Sequence, residues 1–203
     1  GDVNNDGLLD AVTSSHKEIC ILLGRNEDGK FHFKKPQVVT SEMLTTRVSL
    51  ADFNKDGWLD ILAQNLQNTY TKSYDVDSWV LINNKGSFSI NNKSSFPAFG
   101  ANGGTIAQLD NDGKLDVIIS NYHADISRRV GTFVIGEDKD GFPSSKDKIR
   151  LPSLSAGANN VMDFNGDGYQ DILVFNHTSN NVYNGGLTPS GGIHGTVSVL
   201  YWC

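Results

Sequence analysis

The sequence predicts an all-β fold of repeated four-stranded antiparallel blades, the arrangement of a β-propeller. Three observations carry this. A nine-residue stretch rich in Asp and Asn, with Gly at its sixth place, occurs four times, starting at residues 2, 52, 108 and 163. The intervals of 50, 56 and 55 residues fall in the range of propeller blades. Between the copies no stretch has helical periodicity, whereas short β-branched and apolar runs bounded by Gly, Asn and Asp return at matching offsets.

The repeated stretch reads as a loop. Its first, third, fifth and ninth residues carry side-chain oxygens: Asp2, Asn4, Asp6 and Asp10; Asp52, Asn54, Asp56 and Asp60; Gln108, Asp110, Asp112 and Asp116; Asp163, Asn165, Asp167 and Asp171. Glycine at the sixth place permits a positive φ without a Cβ clash. That turn aims the carbonyl of the seventh residue, Leu8, Trp58, Lys114 or Tyr169, at the same centre. Alternating oxygen donors on a tight turn suit Ca2+, which takes roughly six to eight oxygens. One Asn-x-Asp-Gly alone is only a favoured turn. Four copies with one internal spacing point to calcium, up to four ions. An EF-hand is excluded, because its twelfth residue should be Glu and here is Thr13, Ala63, Ile119 or Val174. In the third loop a neutral, longer Gln108 opens the motif, so that site is expected to be the weakest.

Each loop leads into a first strand: Ala11-Val12-Thr13, Ile61-Leu62-Ala63, Val117-Ile118-Ile119 and Ile172-Leu173-Val174. A polar residue ends each run at the same offset, Ser15, Asn65, Asn121 or Asn176. Second strands are expected at 19–23, 79–82, 132–135 and 197–202. Gly-closed turns follow at 26–29, 83–86 and 138–141, read as hairpins. Phe31, Phe88 or Phe142 then opens a third strand, and short strands at 47–51, 105–109 and 160–162 precede the next loop. The repeat units are approximately 1–51, 52–107, 108–162 and 163–203, in one domain spanning 1–203.

At this point the residues resemble a known family. Phe99-Gly100-Ala101-Asn102-Gly103-Gly104-Thr105, followed by Gln108-Leu109-Asp110-Asn111-Asp112-Gly113, is similar to the FG-GAP/VCBS repeat. The resemblance covers essentially the whole chain. It implies blades of a seven- or eight-bladed propeller, as in integrin α-subunit heads, fungal lectins and parts of polysaccharide-degrading enzymes, with calcium held at the loop positions named above. The strand count expected from the sequence leaves both ends of the ring incomplete. The remaining blades are therefore expected from the same protein or from a partner chain.

Composition narrows the function. Of 203 residues 38% are hydrophobic and 20% charged, and the formal net charge is −6. Twelve of the 23 acidic residues lie in the four loops, so the acidity belongs to the loops. No apolar run approaches a membrane span. Arg128-Arg129 is too small a basic cluster for nucleic acid. Two cysteines are too few for a disulfide scaffold. Two sequons, Asn92-Lys93-Ser94 and Asn176-His177-Thr178, together with the calcium loops, point to a secreted or cell-surface protein.

An antiparallel meander places the Asp loops and Gly-closed hairpins on one face and the other connections on the opposite face. Those connections vary in length and collect Tyr70, Tyr74, Tyr122, His123, Arg128, Arg129, His177, Tyr183 and His194. Variable loops on a rigid scaffold are where recognition resides, and Tyr and Arg are frequent anchors. The expected ligand is a glycan or an extracellular protein. Catalytic signatures are thin: the five histidines have no metal-ligand spacing, and no dinucleotide or phosphate loop is complete. The alternative is the propeller portion of a polysaccharide lyase or hydrolase, with His123 beside Arg128 or Arg129 as its candidate set.

Overall fold

The computed structural model describes residues 1–110, 112–177 and 198–201. These form strands β1 Ala11–Leu22, β2 Gly24–Glu27, β3 Lys30–Phe33, β4 Gln37–Ala51, β5 Asp60–Asn68, β6 Asp77–Leu81, β7 Lys93–Pro97, β8 Ala101–Ala107, β9 Asp116–Asn121, β10 Thr132–Glu137, β11 Pro143–Leu151, β12 Ala156–Met162, β13 Asp171–Asn176 and β14 Ser198–Tyr201. Every pairing is antiparallel. Among the described residues no helix forms, so none is long and apolar enough to cross a membrane. The fold is all-β, built of propeller-type blades.

Two blades follow the expected meander, β4-β5-β6-β7 and β8-β9-β10-β11, and a third is present as β12-β13-β14. Their middle strands are buried on both faces, which is why they read as unbroken apolar runs. Alternate side chains feed different cores. Ile61 and Ala63 of β5 pack with Val3, Ile19, Ile21 and Trp79, whereas Leu62 packs with Phe96, Val117, Ile119 and Phe133. In β9, Val117 and Ile119 join that second core, and Ile118 packs with Val134, Ile172 and Val174. Blades are therefore stacked face to face, each core shared by two neighbours.

The first unit departs from the expectation. The two strands read at Ala11–Thr13 and 19–23 are one strand, β1, with a register shift between His16 and Glu18 and Lys17 at φ 65°. Ser15-His16-Lys17 contains no Gly, Pro or Asn to reverse the chain, and a bulge absorbs the irregularity. The Asn26–Gly29 turn closes a separate hairpin, β2-β3. β1 instead pairs with the first half of β4, whose second half pairs with β5, making a five-stranded sheet. Phe88 does not open a strand: it lies buried in the turn before β7, because Asn92 N–H donates to Ser89 O and delays pairing until Lys93.

The Gly-closed hairpins stand against the Asp loop of the preceding repeat. Asn83 donates through Nδ2 to Val3 O and to Leu59 O, both at 2.8 Å. A Cβ on Gly141 would lie 2.5 Å from Phe53 O, with Gly141 at φ 87°. Gly29 has a similar φ of 71° but open space around it. Gly29→Ala is therefore expected to cost about 1 kcal/mol from backbone conformation alone. Gly141→Ala should cost about 3 kcal/mol, because overpacking against the neighbouring loop is added. Urea unfolding of the two variants checks the order, and equal costs would mean that the hairpin does not bear on the loop.

Candidate functional site

Three of the four Asp loops share one geometry. Position-one Asp takes the backbone N–H groups of positions five and six: Asp2 from Asp6 (3.2 Å) and Gly7 (2.8 Å), Asp52 from Asp56 (3.0 Å) and Gly57 (2.8 Å), Asp163 from Asp167 (3.1 Å) and Gly168 (2.8 Å). Position-three Asn touches the same turn, with Nδ2 donating to the position-five carboxylate at 3.0, 2.9 and 2.8 Å for Asn4, Asn54 and Asn165. The position-five carboxylate also caps the position-seven N–H of Leu8, Trp58 and Tyr169. Sixth-place glycines have φ between 82° and 92°. The chain also turns left-handed at position four, in Asn5, Lys55 and Gly166, which the spacing did not reveal. The three side chains at positions one, three and five thus crowd one backbone turn, a donor set that suits a hard cation.

Position nine sits deeper. Asp10, Asp60, Asp116 and Asp171 are all buried. Each carboxylate accepts the N–H of the loop's second residue, Val3, Phe53, Leu109 or Phe164, at 2.8–3.2 Å. In the first two repeats the other oxygen accepts an N–H from the base of the hairpin, Gly24 to Asp10 at 2.7 Å and Asn83 to Asp60 at 2.8 Å. Sequence spacing gave these residues only as metal ligands. The structure adds a clamp that ties loop, first strand and hairpin together. Burial pushes Asp60 up to about 6, and the nearby Asp56 and Asp52 charges push the same way. Burial likewise raises Asp116. Among the described residues no three His, Cys, Asp or Glu side chains are gathered as a metal group. Position three is Asn in three loops, and the ninth carboxylate points inward.

At the other end of the same strands lies a second cluster. The first strands β5, β9 and β13 start at Asp60, Asp116 and Asp171. The connections that follow them carry Tyr74, Tyr122, His123 and His177. β9 spans six residues, or about 20 Å of chain at roughly 3.3 Å per residue. Tyr74 lies 4.5 Å from His123 between ring centroids, Tyr122 lies 5.4 Å from His177 edge-on, and the Arg128 guanidinium stands 5.0 Å over the Tyr122 ring. Asp125 locks the group by accepting from Ser73 Oγ (2.8 Å) and from Tyr74 N–H. Five of the expected recognition residues are thus brought together from three connections. Tyr70 is not among them: it is exposed under the Lys17 ammonium, 3.9 Å from its ring centre, beside a groove of about 670 Å3. Arg129 is exposed, and its carbonyl accepts from Arg150 at 2.7 Å. Tyr183 and His194 lie outside the described residues.

The loops repeat with one hydrogen-bond plan on one face, while connections of unequal length meet on the other. Comparison with known families agrees with that plan: an FG-GAP-like repeat family matches residues 2–63, and the FG-GAP repeat family matches residues 160–194. The chain carries FG-GAP repeats. No curated protein matches it.

The Phe99-Gly100 pair, which closes the second unit ahead of the third loop, explains how these repeats hold the aromatic cluster. Phe99 N–H donates to the buried Asn121 Oδ1 (2.8 Å), Gly100 N–H to Tyr74 O (2.8 Å), and Tyr122 N–H to Gly100 O (2.9 Å). A Cβ on Gly100, at φ 55°, would meet His123 O at 2.7 Å. The FG-GAP repeat at 160–194 is preceded by the same device in other residues. Leu154 N–H donates to Asn176 Oδ1 (2.8 Å), Ser155 N–H to Arg128 O (3.0 Å), and His177 N–H to Ser155 O (2.9 Å), with Ser155 at φ 46°. The Asn at the strand end was visible in the sequence as a repeating polar stop. Its role as the peg for the FG pair was not.

His123 is nine-tenths buried in this cluster, and that burial holds its pKa below the ordinary value, with Arg128 acting in the same direction against Asp125 and Asp75. A folded imidazole with a depressed pKa stays neutral where the unfolded one takes a proton. The stability it contributes is fully present above about pH 6.5 and is lost as pH falls from there through the lower pKa of the folded ring. The melting-temperature gap between wild type and His123→Gln should therefore shrink from pH 7.5 to about pH 5. A gap that widens on acidification would refute the neutral, buried ring.

Proposed function

We propose that this chain is a calcium-stabilised recognition module that binds a glycan or a protein partner through the face opposite its Asp loops. The observation that carries the reading is the Tyr74, Tyr122, His123, Arg128 and His177 cluster, preassembled from three connections and pegged to the blade frame by the FG pair. Preassembled aromatic and guanidinium groups lose little freedom on binding. FG-GAP repeats belong to adhesion and recognition modules, which supports the same class. Calcium, in this reading, sits at positions one, three and five of the loops, fixing the strands from the far end and touching no ligand. A secreted or cell-surface setting is consistent with the exposed sequon residue Asn92, whereas Asn176 is a buried structural carboxamide.

The lyase reading draws on the same residues, since His123 and Arg128 would be its base and its carboxylate-binding group. The His123 ring is packed against Tyr74 and nine-tenths buried, which favours binding over proton abstraction.

A screen of calcium-loaded protein against glycans and cell-surface proteins, run beside assays on acidic polysaccharides, separates the two. Tyr122→Ala or Arg128→Ala should weaken binding at least about tenfold, roughly 1.4 kcal/mol, while Lys85→Ala on the loop-side hairpin leaves it intact. Chelation should lower the melting temperature and abolish binding together. Turnover of a polysaccharide that is lost with His123→Ala would replace the recognition reading with the enzyme.

A further inference from the structure

We propose that the third Asp loop is closed by its own lysine ammonium in place of a calcium ion, so that the chain takes three ions and not four. The inference rests on the calcium reading of the other three loops. Carboxylate number does not separate the loops, because Asp110 stands where the others have Asn4, Asn54 and Asn165, which offsets the Gln at 108. Geometry does. Asp2, Asp52 and Asp163 are half-buried and each gathers the N–H groups of positions five and six. Gln108 is exposed, and among the described residues it receives neither the Asp112 nor the Gly113 N–H. Among those residues the third turn keeps only the two bonds common to all the loops: Asp110 accepts from Asp112 N–H at 3.1 Å, as Asn4, Asn54 and Asn165 do in their loops, and Asp112 accepts from Lys114 N–H at 2.8 Å.

Lys114 occupies position seven, where the other loops have Leu8, Trp58 and Tyr169. Its ammonium lies 2.5 Å from Glu137 Oε1 and 3.5 Å from Asp112 Oδ2. Glu137 is specific to this blade. Leu81 pairs with Ile61 and Ile135 with Val117, so two residues further on Glu137 holds the register position of Asn83. Its side chain is only 10% exposed. A half-dry carboxylate anchors the lysine, and the lysine covers the position-five ligand. A divalent ion entering here must take Asp112 from an ammonium already fixed in place, and it gains only a neutral amide at position one. Lys55 adds a second positive charge, its Nζ 3.9 Å from where a Cβ on Gly113 would stand. The nearest parallel is Lys34 in the first loop, a single 3.8 Å approach to Asp6 from outside the loop that leaves Asp2 holding both of its N–H groups.

The test uses the full chain, isotope-labelled, stripped of metal and titrated with calcium chloride. The four sixth-place glycines report site by site through their amide resonances. Gly7, Gly57 and Gly168 should shift and Gly113 should stay unmoved. In a Gln108→Asp/Lys114→Leu double variant, Gly113 should shift with the rest, and bound calcium by elemental analysis should rise from three per chain to four. Gly113 shifting with the others in the wild-type chain would overturn the proposal while leaving the calcium reading intact. If no glycine shifts, the calcium reading fails, and the metal-free melt then decides the ammonium closure. Lys114→Met must lower it by several degrees where Lys34→Met does not, and equal melts would overturn it.

Discussion

The interaction on which the fold depends is the pair of buried polar pegs at the two ends of each central strand. A strand stacked between two cores has both faces in apolar surroundings, yet its first and last peptide groups, and those of the segments that enter and leave it, still need partners. An Asp supplies them at the start of β5, β9 and β13, and an Asn five residues later supplies them at the end of β9 and β13 and three residues before the end of β5: Asp60 and Asn65, Asp116 and Asn121, Asp171 and Asn176. Each buried N–H left without its acceptor would cost about 1–3 kcal/mol. The pegs thus let the blades be dry inside and still end cleanly in loops.

The two ends are put to different uses because the pegs differ in charge. The Asp end gathers further carboxylates and amides around a left-handed turn, producing a compact negative loop. The Asn end is neutral and fixes the FG pair, over which Tyr74, Tyr122 and His123 assemble. Close passage between blades also needs small residues. A Cβ on Gly103 would fall 2.8 Å from Gly157 O and 3.0 Å from Ala158 Cα, so β8 comes close to β12 through its own glycine.

Much of this was legible in the sequence because it is local and repeated. Four copies of one loop fixed the period, the glycines marked the turns, and two-faced burial wrote β5, β9 and β13 as apolar runs. What was not legible depends on pairs far apart in the chain or on turns without a signature. Ser15-His16-Lys17 and Asn83-Asn84-Lys85-Gly86 both join strand-like runs, but only the second reverses direction, with Lys85 and Gly86 both at positive φ. The carboxylate of Asp10 looks like any other ligand until Gly24 is seen to bond to it. Asp125 and Tyr74 stand 51 residues apart, and no spacing rule brings them together. The aromatic residues could be nominated from their loops, but only the fold could sort Tyr74 and Tyr122 from Tyr70.

β4 gives the chain a mechanical property as well. Its 15 residues run without interruption from the ladder with β1 into the ladder with β5. A pull on the N-terminal sheet therefore reaches the next blade along one covalent strand, loading both ladders in shear, with many hydrogen bonds sharing the strain at once. The later blades are joined differently: β7 ends at Pro97 and β11 at Leu151, and each passes through a short connection before β8 or β12 begins. Tension across those joints falls instead on the connection and on the peg that holds it, Asn121 for Phe99 and Asn176 for Leu154.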